Sequence, residues 1–282
     1  MKTILLLTDF SKNSETAINY ALQLFEGTHC HFIILHVQKS SNYTTDDLMV
    51  SQATSSIYSS VLDKTKKKVA NLKDVLEKKY PSKNFSFETL VDYDLFTNAI
   101  QQVVKLKQID FIIMGTNGVT NVKEALFGSN TIKVIHSINC PILAIPEKTI
   151  FKKPDTILYA LDYFQNFDSH STAPLVDLLK KFQSTLRILK VKEDETVTEK
   201  ERNDILLMKK AFANFRHTFH TITNIQTALA IESFAQIINI DITAIVLHKE
   251  HFLERFFRGS EITKISYESK TPLLFLKQGK DS

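Results

Sequence analysis

Glycine, proline and cysteine are scarce in this chain of 282 residues, and tryptophan is absent. The two cysteines, Cys30 and Cys140, lie far apart in sequence, which fits reduced core thiols better than a disulfide framework. Asp9 interrupts the apolar run at the start of the chain, and no window approaches the roughly 18 uninterrupted apolar residues of a membrane span. We therefore expect a cytoplasmic protein with neither a signal peptide nor a membrane segment.

Neither sign of charge is in strong excess. The formal net charge is +4, and charged residues make up 23% of the chain against 43% hydrophobic residues, as in an ordinary globular protein. The densest basic run is KTKKK at 64–68, which lies in an amphipathic stretch and has no aromatic or groove-reading motif beside it. We interpret this run as the solvated face of a helix, so nucleic acid is not an expected partner.

The sequence contains an internal repeat. Segment 2–10 reads KTILLLTDF and segment 155–164 reads DTILYALDYF, and each is a short apolar run that ends in an aspartate followed by an aromatic residue. Segment 128–145 also aligns with segment 259–276 without a gap, so that a glycine, a lysine and a proline of one fall on the same residue types of the other. The repeat predicts two similar domains in tandem.

We predict that these domains cover residues 1–148, called the first half below, and residues 154–279, called the second half. Apolar runs of strand length alternate with helical patterns, which is typical of an open, mostly parallel sheet with helices on both faces. Each half should therefore be a Rossmann-like α/β domain with five strands, and the second half should be shorter between its second and third strands. In the first half we predict strands over 4–8, 31–37, 85–91, 111–114 and 141–145, and helices over about 17–25 with Gly27 as the cap, 53–79, 95–104 and from Ser129 onward.

Three of the six glycines fall in residues 114–130. Gly115 and Gly118 follow a buried strand, and Gly128 and Ser129 open a helix, with the spacing G-x2-G-x9-G-S. In an open parallel sheet, ligands bind beyond the carboxyl ends of the strands, where glycines allow close approach and a helix N-terminus suits an anion. The hydroxyls of Ser129 and Thr131 would add donors, and Asp9 would face the same crevice. The alternative is that these glycines only form turns.

The order of these features resembles the universal stress protein family, over nearly the whole chain as two tandem copies. The shared features are an aspartate ending strand one, MG ending strand four, the glycine spacing, a helix and then CPIL. The resemblance, which is to the ATP-binding branch, implies an adenine nucleotide hydrolase-like fold that binds ATP, with Mg²⁺ held through the phosphates. Thr8 stands where the family often has proline. The resemblance places Asp9 on the ribose or adenine side, Val37 at adenine, Met114 and Gly115 beside the nucleotide, and Gly118, Gly128, Ser129, Asn130 and Thr131 at the phosphates.

The second half departs from this pattern. His248 stands where Gly115 would be, the loop is two residues shorter, and only Gly259 and Ser260 remain. We interpret the second half as a degenerate copy, in which Arg255 and Arg258 are either solvated or near a bound anion. The cluster HCH at 29–31 looks metal-like but precedes a strand and lacks a second ligand pair. We interpret HKEH at 248–251 as a polar replacement for the lost glycine loop, with a metal site as the alternative, and the Phe252–Phe257 stripe as core or interface.

Three hypotheses for function follow. The first is a stress-response regulator that binds ATP in the first half. The second is an enzyme acting on ATP, although the chain has no G-x4-G-K-[ST] motif and no recognisable general base. The third is a scaffold without nucleotide. In each case we expect the final strands, 141–145 and 272–276, to pair and to join the halves as a pseudo-dimer. A homodimer could then form through another face.

Overall fold

The computed structural model describes residues 1–38, 53–116, 127–161, 167–192, 198–247 and 271–277. In the range 53–116, side chains are described from residue 63 onward. The predicted site residue Gly118, the repeat aspartate Asp162 and the segment 248–270 lie outside them. None of the helices in these ranges combines the length and the hydropathy of a membrane span.

The first half alternates strands and helices as the sequence predicts. The first helix ends earlier than predicted: Phe25 caps it, and Gly27 follows with a φ of 78°. The elements are β1 (Lys2–Leu7), α1 (Lys12–Leu24), β2 (Cys30–Val37), α2 (Ala53–Lys79), β3 (Phe85–Asp92), α3 (Phe96–Lys107), β4 (Phe111–Gly115), α4 (Ser129–Ser137) and β5 (Ile142–Ile145).

The described elements of the second half follow the same order, and the place of a counterpart to α4 lies outside the described residues. Its second and third strands are joined by residues 193–216, against residues 38–84 in the first half, so the shortening lies where the sequence predicts it. The elements are β6 (Thr156–Leu161), α5 (Ala173–Phe182), β7 (Thr185–Lys192), α6 (Glu199–Ala211), β8 (His217–Thr223), α7 (Thr227–Ile238), β9 (Ile242–Leu247) and β10 (Leu273–Lys277).

The strands form a single ten-stranded sheet in the order β3-β2-β1-β4-β5-β10-β9-β6-β7-β8. Every neighbouring pair is parallel except β5 and β10, which are antiparallel with Leu143 opposite Leu274 and Ile142 opposite Phe275. The final strands of the two halves therefore pair with each other, as expected for two apolar strands that would otherwise be sheet edges. In the first half, the strand order reverses between β1 and β4.

Two hydrophobic cores cover the two faces of the sheet. Helices α1, α2, α5 and α6 contribute to one core, and α3, α4 and α7 contribute to the other. Because successive strand residues point to opposite faces, Leu6 lies in the first core and Leu5 in the second. Cys30 and Cys140 are both free and buried, as predicted, and burial raises the pKa of their thiols to about 11 and about 12. Both are therefore protonated at neutral pH.

One side-chain contact occurs at the equivalent place in each half. The carboxylate of Asp110, just before β4, accepts the backbone N–H of Thr3 at 2.7 Å. The carboxylate of Asp241, just before β9, accepts the backbone N–H of Thr156 at 2.9 Å. Each aspartate fastens the start of a central strand to its neighbour, so the repeat seen in the sequence is also present in the side-chain contacts.

Candidate functional site

The candidate site lies at the carboxyl ends of β1 and β4. These strands are parallel neighbours at the point where the strand order of the first half reverses, which is the usual position of a ligand crevice in an open α/β sheet. The chain leaves β1 to enter α1 and returns after β4 to enter α4. Both helices begin at this edge of the sheet, so the positive ends of two helix dipoles lie beside the crevice.

The loop between β1 and α1 holds Asp9 in a fixed orientation. Its Oδ1 accepts the backbone N–H of Ser11 at 3.0 Å and the hydroxyl of Ser11 at 2.5 Å. Ser11 in turn caps α1 by accepting the N–H of Ser14 at 3.2 Å. Phe10 has a φ of 61°, and its N–H donates to the Thr8 hydroxyl at 3.0 Å. The carboxylate is thus tied to the first turn of α1, half-buried at the crevice.

Gly115, the last residue of β4, lies directly against the first turn of α1. A Cβ added there would lie 2.7 Å from Cγ, 2.8 Å from Oδ1 and 2.9 Å from Nδ2 of Asn13, which is only 3% exposed. Sequence reasoning assigned this glycine to the approach of a ligand. The structure adds a packing reason, because only a residue without Cβ lets α1 come this close to β4.

Helix α4 begins with a cap that has no side chain. The N–H of Gly128 donates to the Thr116 carbonyl at 2.7 Å, and the hydroxyl of the buried Thr131 lies 3.2 Å from the Gly115 carbonyl and 3.0 Å from that of Thr116. These bonds fasten the start of α4 to the end of β4. Among the described residues, no side chain caps the helix at Gly128, while Ser129 and Asn130 are exposed. The first-turn N–H groups of α4 are therefore presented at the edge of the sheet, where an anion would be bound.

His36, near the end of β2, supports the same loop and was not predicted. Its Nδ1 lies 2.8 Å from the Thr8 carbonyl, which only accepts, so Nδ1 carries a proton. The His36 ring packs on Phe10 with 4.7 Å between ring centroids, and its Nε2 lies 3.3 Å from Gln38 Oε1. Val37, the next residue, is half-buried beside this contact. A histidine at the carboxyl end of an apolar strand is the sequence signal that could have pointed to it.

The structure brings most of the predicted residues to this one edge of the sheet. Thr8 and Asp9 follow β1, Val37 ends β2, and Met114 and Gly115 end β4. The side chain of Met114 belongs to the core on the α3 and α4 side. Gly128, Ser129, Asn130 and Thr131 form the cap and first turn of α4.

The corresponding place in the second half is occupied by an ion pair. Lys192 ends β7, as Val37 ends β2, and its side chain is only 2% exposed. Its ammonium lies 2.8 Å from the carboxylate of Glu201, in the first turn of α6. The hydroxyl of Thr198 accepts the N–H of Glu201, so the same residues also cap the helix. The sequence analysis did not predict this pair, although the T-x-x-E pattern of Thr198 and Glu201 is typical of a capped helix start.

His31, part of the metal-like HCH cluster, is bound by protein groups. Its Nδ1 lies 2.8 Å from the Ser86 hydroxyl and its Nε2 lies 3.2 Å from the Glu88 carboxylate. Lys107 donates to Glu88 at 2.8 Å, and with His31 it holds the pKa of Glu88 below its usual range. Within the described ranges, no group of three or more histidine, cysteine, aspartate or glutamate side chains is arranged to hold a metal ion.

Comparison with known proteins gives consistent results. The model of the universal stress protein family matches residues 1–146 of this chain. The universal stress protein MJ0577 of Methanocaldococcus jannaschii is 27% identical over 159 residues, which are 52% of this chain and 96% of that protein. The universal stress protein YxiE of Bacillus subtilis is 24% identical over 143 residues, which are 50% of this chain and 97% of that protein. Each of these relatives corresponds to about half of this chain.

Similar solved structures span the full chain. The crystal structure of a universal stress protein from Archaeoglobus fulgidus has a TM-score of 0.71 at 19% identity, covering 99% of this chain and 97% of that one. The crystal structure of the functionally unknown protein PA1789 of Pseudomonas aeruginosa has a TM-score of 0.58 at 15% identity, covering 98% and 92%. At these identities the likeness concerns the fold alone, and it extends over both halves.

Proposed function

This chain belongs to the universal stress protein family, and from that premise we propose that it is a stress-response protein that binds a single ATP in the first half. The observation that carries the proposal is the start of α4, which no described side chain caps and which is fastened to the end of β4 where the strand order reverses. A triphosphate is the kind of anion that a helix N-terminus and exposed hydroxyls bind well.

We propose the following roles in this crevice. The backbone N–H groups from Gly128 to Thr131 bind phosphate oxygens, with help from the Ser129 hydroxyl and from Gly118. The hydroxyl of Thr131 already lies against two carbonyl groups, so Thr131 would contribute its backbone N–H. Asp9 contacts the ribose or adenine side and the backbone at Val37 contacts adenine, as the family resemblance implies. Mg²⁺ would be held through the phosphates.

We propose that the protein binds ATP and does not hydrolyse it rapidly. A hydrolase needs a general base positioned on the attacking water. The carboxylate at the crevice, Asp9, is held by Ser11 in the turn that starts α1. We propose that Asp9 orients the nucleotide, so Asp9→Asn should weaken ATP binding more than it changes any slow phosphate release. Buried, protonated thiols fit the reducing cytoplasm, where we propose that the protein acts.

The two proposed domains, residues 1–148 and 154–279, would differ in function. In the second half, the Lys192–Glu201 pair occupies the place that corresponds to the Val37 end of the first-half crevice. Opening that place for a base would leave two buried charges unpaired, which is strongly unfavourable. We therefore propose that the second half binds no ATP.

The test is calorimetric titration of the whole chain with MgATP. We expect one site per chain, lost in Gly118→Val and in Gly128→Val because a β-branched side chain blocks the phosphate approach. The matched control is Gly259→Val, which changes the equivalent glycine of the second half and should leave binding intact. Two equivalent sites, or unchanged affinity in both first-half variants, would contradict the proposal.

The titration, analysis of co-purified nucleotide and a phosphate-release assay together separate the alternatives. A folded wild-type chain that neither binds MgATP nor co-purifies with nucleotide would favour the scaffold hypothesis. Robust phosphate release that depends on a residue outside the crevice would favour an enzyme.

A further inference from the structure

A cavity of about 370 Å³ lies where the two halves meet, at the opposite end of β1 and β4 from the ATP crevice. This volume falls in the range of small-molecule sites. The cavity is bounded by residues of both halves: Lys2, Phe25, Thr28 and Phe111 from the first, and Asp177, Leu178, Lys180 and Lys181 of α5 from the second.

Bonds between the halves hold its walls in place. The ammonium of Lys2 lies 2.7 Å from the Asp177 carboxylate. The ammonium of Lys181 donates to the Glu26 carbonyl and to the Thr28 hydroxyl, both at 2.7 Å. Each bridge joins α5 to the first half, so the cavity is formed without a ligand.

The floor of the cavity is apolar and rigid. Phe25, Phe111 and Leu178 are all at least 97% buried. The two rings meet edge to face, with centroids 5.7 Å apart and planes at 65°. The ammonium groups of Lys2 and Lys181 lie over these rings, 5.7 Å from the centroid of Phe111 and 6.0 Å from that of Phe25. A ligand would therefore contact the apolar stems of these lysines above the rings.

The rim carries more positive than negative charge. Three lysines face one carboxylate, and that carboxylate, Asp177, is paired with Lys2. Within the described part of the chain, neither Lys180 nor Lys181 forms an ion pair. Partial burial lowers the pKa of Lys181, and the nearby Glu26 carboxylate offsets the desolvation of its ammonium only in part. The rim therefore has the excess of positive charge that suits an anion.

We propose that this cavity binds a small organic monoanion, with its apolar body against the lysine stems that cover Phe25 and Phe111 and its acidic group between Lys180 and Lys181. The proposal is independent of ATP binding, because it uses no residue of the ATP crevice. Since both halves form the walls, such a ligand would also strengthen the contact between them.

Fluorescence titration with 1-anilinonaphthalene-8-sulfonate tests this proposal on the folded full chain. We expect saturable binding of one dye per chain, weakened at least tenfold by Lys180→Glu, which changes an exposed residue and leaves the walls intact. Lys181→Met removes the second ammonium together with its bonds to Glu26 and Thr28, so it should weaken dye binding at least as strongly. The matched control is Lys209→Glu, since Lys209 also lies over a phenylalanine ring, 5.9 Å from the centroid of Phe219, but far from the cavity.

A second probe and a competitor complete the test. Uncharged N-phenyl-1-naphthylamine has the same aromatic body, and we expect it to bind at least tenfold more weakly and to be insensitive to Lys180→Glu. Saturating MgATP should leave the affinity for the sulfonate dye unchanged. Absence of saturable dye binding, equal dye affinities in wild type and both lysine variants, or displacement of the dye by MgATP would overturn the proposal.

Discussion

Glycine and alanine differ by one methyl group, and at position 115 the added methyl carbon would lie only 2.7 Å from Cγ of Asn13. The sequence pointed to Gly115 as a special position because glycine is so rare in this chain. It could not show the reason, since Asn13 lies about a hundred positions away and the approach of α1 to β4 is a tertiary contact. The same holds for His36 and for the Lys192–Glu201 pair, whose partners become neighbours only in the fold.

We predict that Gly115→Ala destabilises the protein by about 1–3 kcal/mol, because a buried amide must move to accept the new Cβ. Urea unfolding of Gly115→Ala, Asn13→Ala and the double variant measures this. Removing the Asn13 amide should relieve the clash, giving a favourable coupling of at least about 0.5 kcal/mol. Additive effects of the two substitutions would show that the contact is not the cause.

Lys277, the last residue of β10, links the second half to the phosphate-binding helix proposed in the first. Its ammonium donates to the Ile135 carbonyl in the last turn of α4, where a cation interacts favourably with the helix dipole. Burial lowers its pKa from 10.5 to about 8, with a small opposing effect of Cys140. Between these two pH values the unfolded chain binds a proton that the folded chain does not, so the contribution of Lys277 to stability rises with pH.

We therefore predict that wild type gains stability relative to Lys277→Met as the pH rises from 7.5 to 10. The comparison with the variant is needed because the raised thiol pKa values of Cys30 and Cys140 act in the opposite direction above pH 9 in both proteins. Urea unfolding at several pH values gives the difference. A difference that stays constant with pH would mean that Lys277 titrates normally.

At the scale of elements, the alternation of strands and helices could be predicted because it depends on local periodicity, and nine elements of the first half appear where the apolar patterns place them. The helix ends were less accurate, since α1 closes at Phe25 and not at Gly27. The pairing of β5 with β10 was also predictable, because two apolar final strands each need a partner. Its register, with Leu143 opposite Leu274, depends on side-chain packing across both cores and could not be read from one strand.

We predict that Ile142→Lys combined with Leu274→Lys destabilises the chain by more than about 4 kcal/mol. Both side chains are fully buried, so each change places an unpaired charge in a hydrophobic core. Thermal unfolding and small-angle scattering measure stability and the distance between the halves. Ile150→Lys is the control, because Ile150 is 88% exposed. Wild-type stability in the double variant would show that these strands do not join the halves.

At the scale of the whole molecule, β3 and β8 are the edges of the ten-stranded sheet that the described residues form. The curated relatives match about half of this chain but nearly all of their own length, so a single half is a plausible unit of folding. Separating the halves would expose β5 along an apolar edge, which must find another partner.

We predict that residues 1–148 expressed alone form a dimer, with β5 of one copy beside β5 of another. Size-exclusion chromatography with light scattering gives the mass. Leu106→Lys is the control, since Leu106 is 78% exposed on α3, away from β5, and its substitution should leave the dimer intact. A stable, folded monomer would contradict this prediction.

The antiparallel junction of β5 and β10 makes the carboxyl ends of the two sets of parallel strands point in opposite directions. In a pair of separate, identical copies, any substitution would appear at both ends of the assembly. Here the two ends are encoded separately, and one keeps an open helix start while the other holds a buried ion pair. The two ends therefore differ in chemistry within one chain, and they occur in a one-to-one ratio without any assembly step.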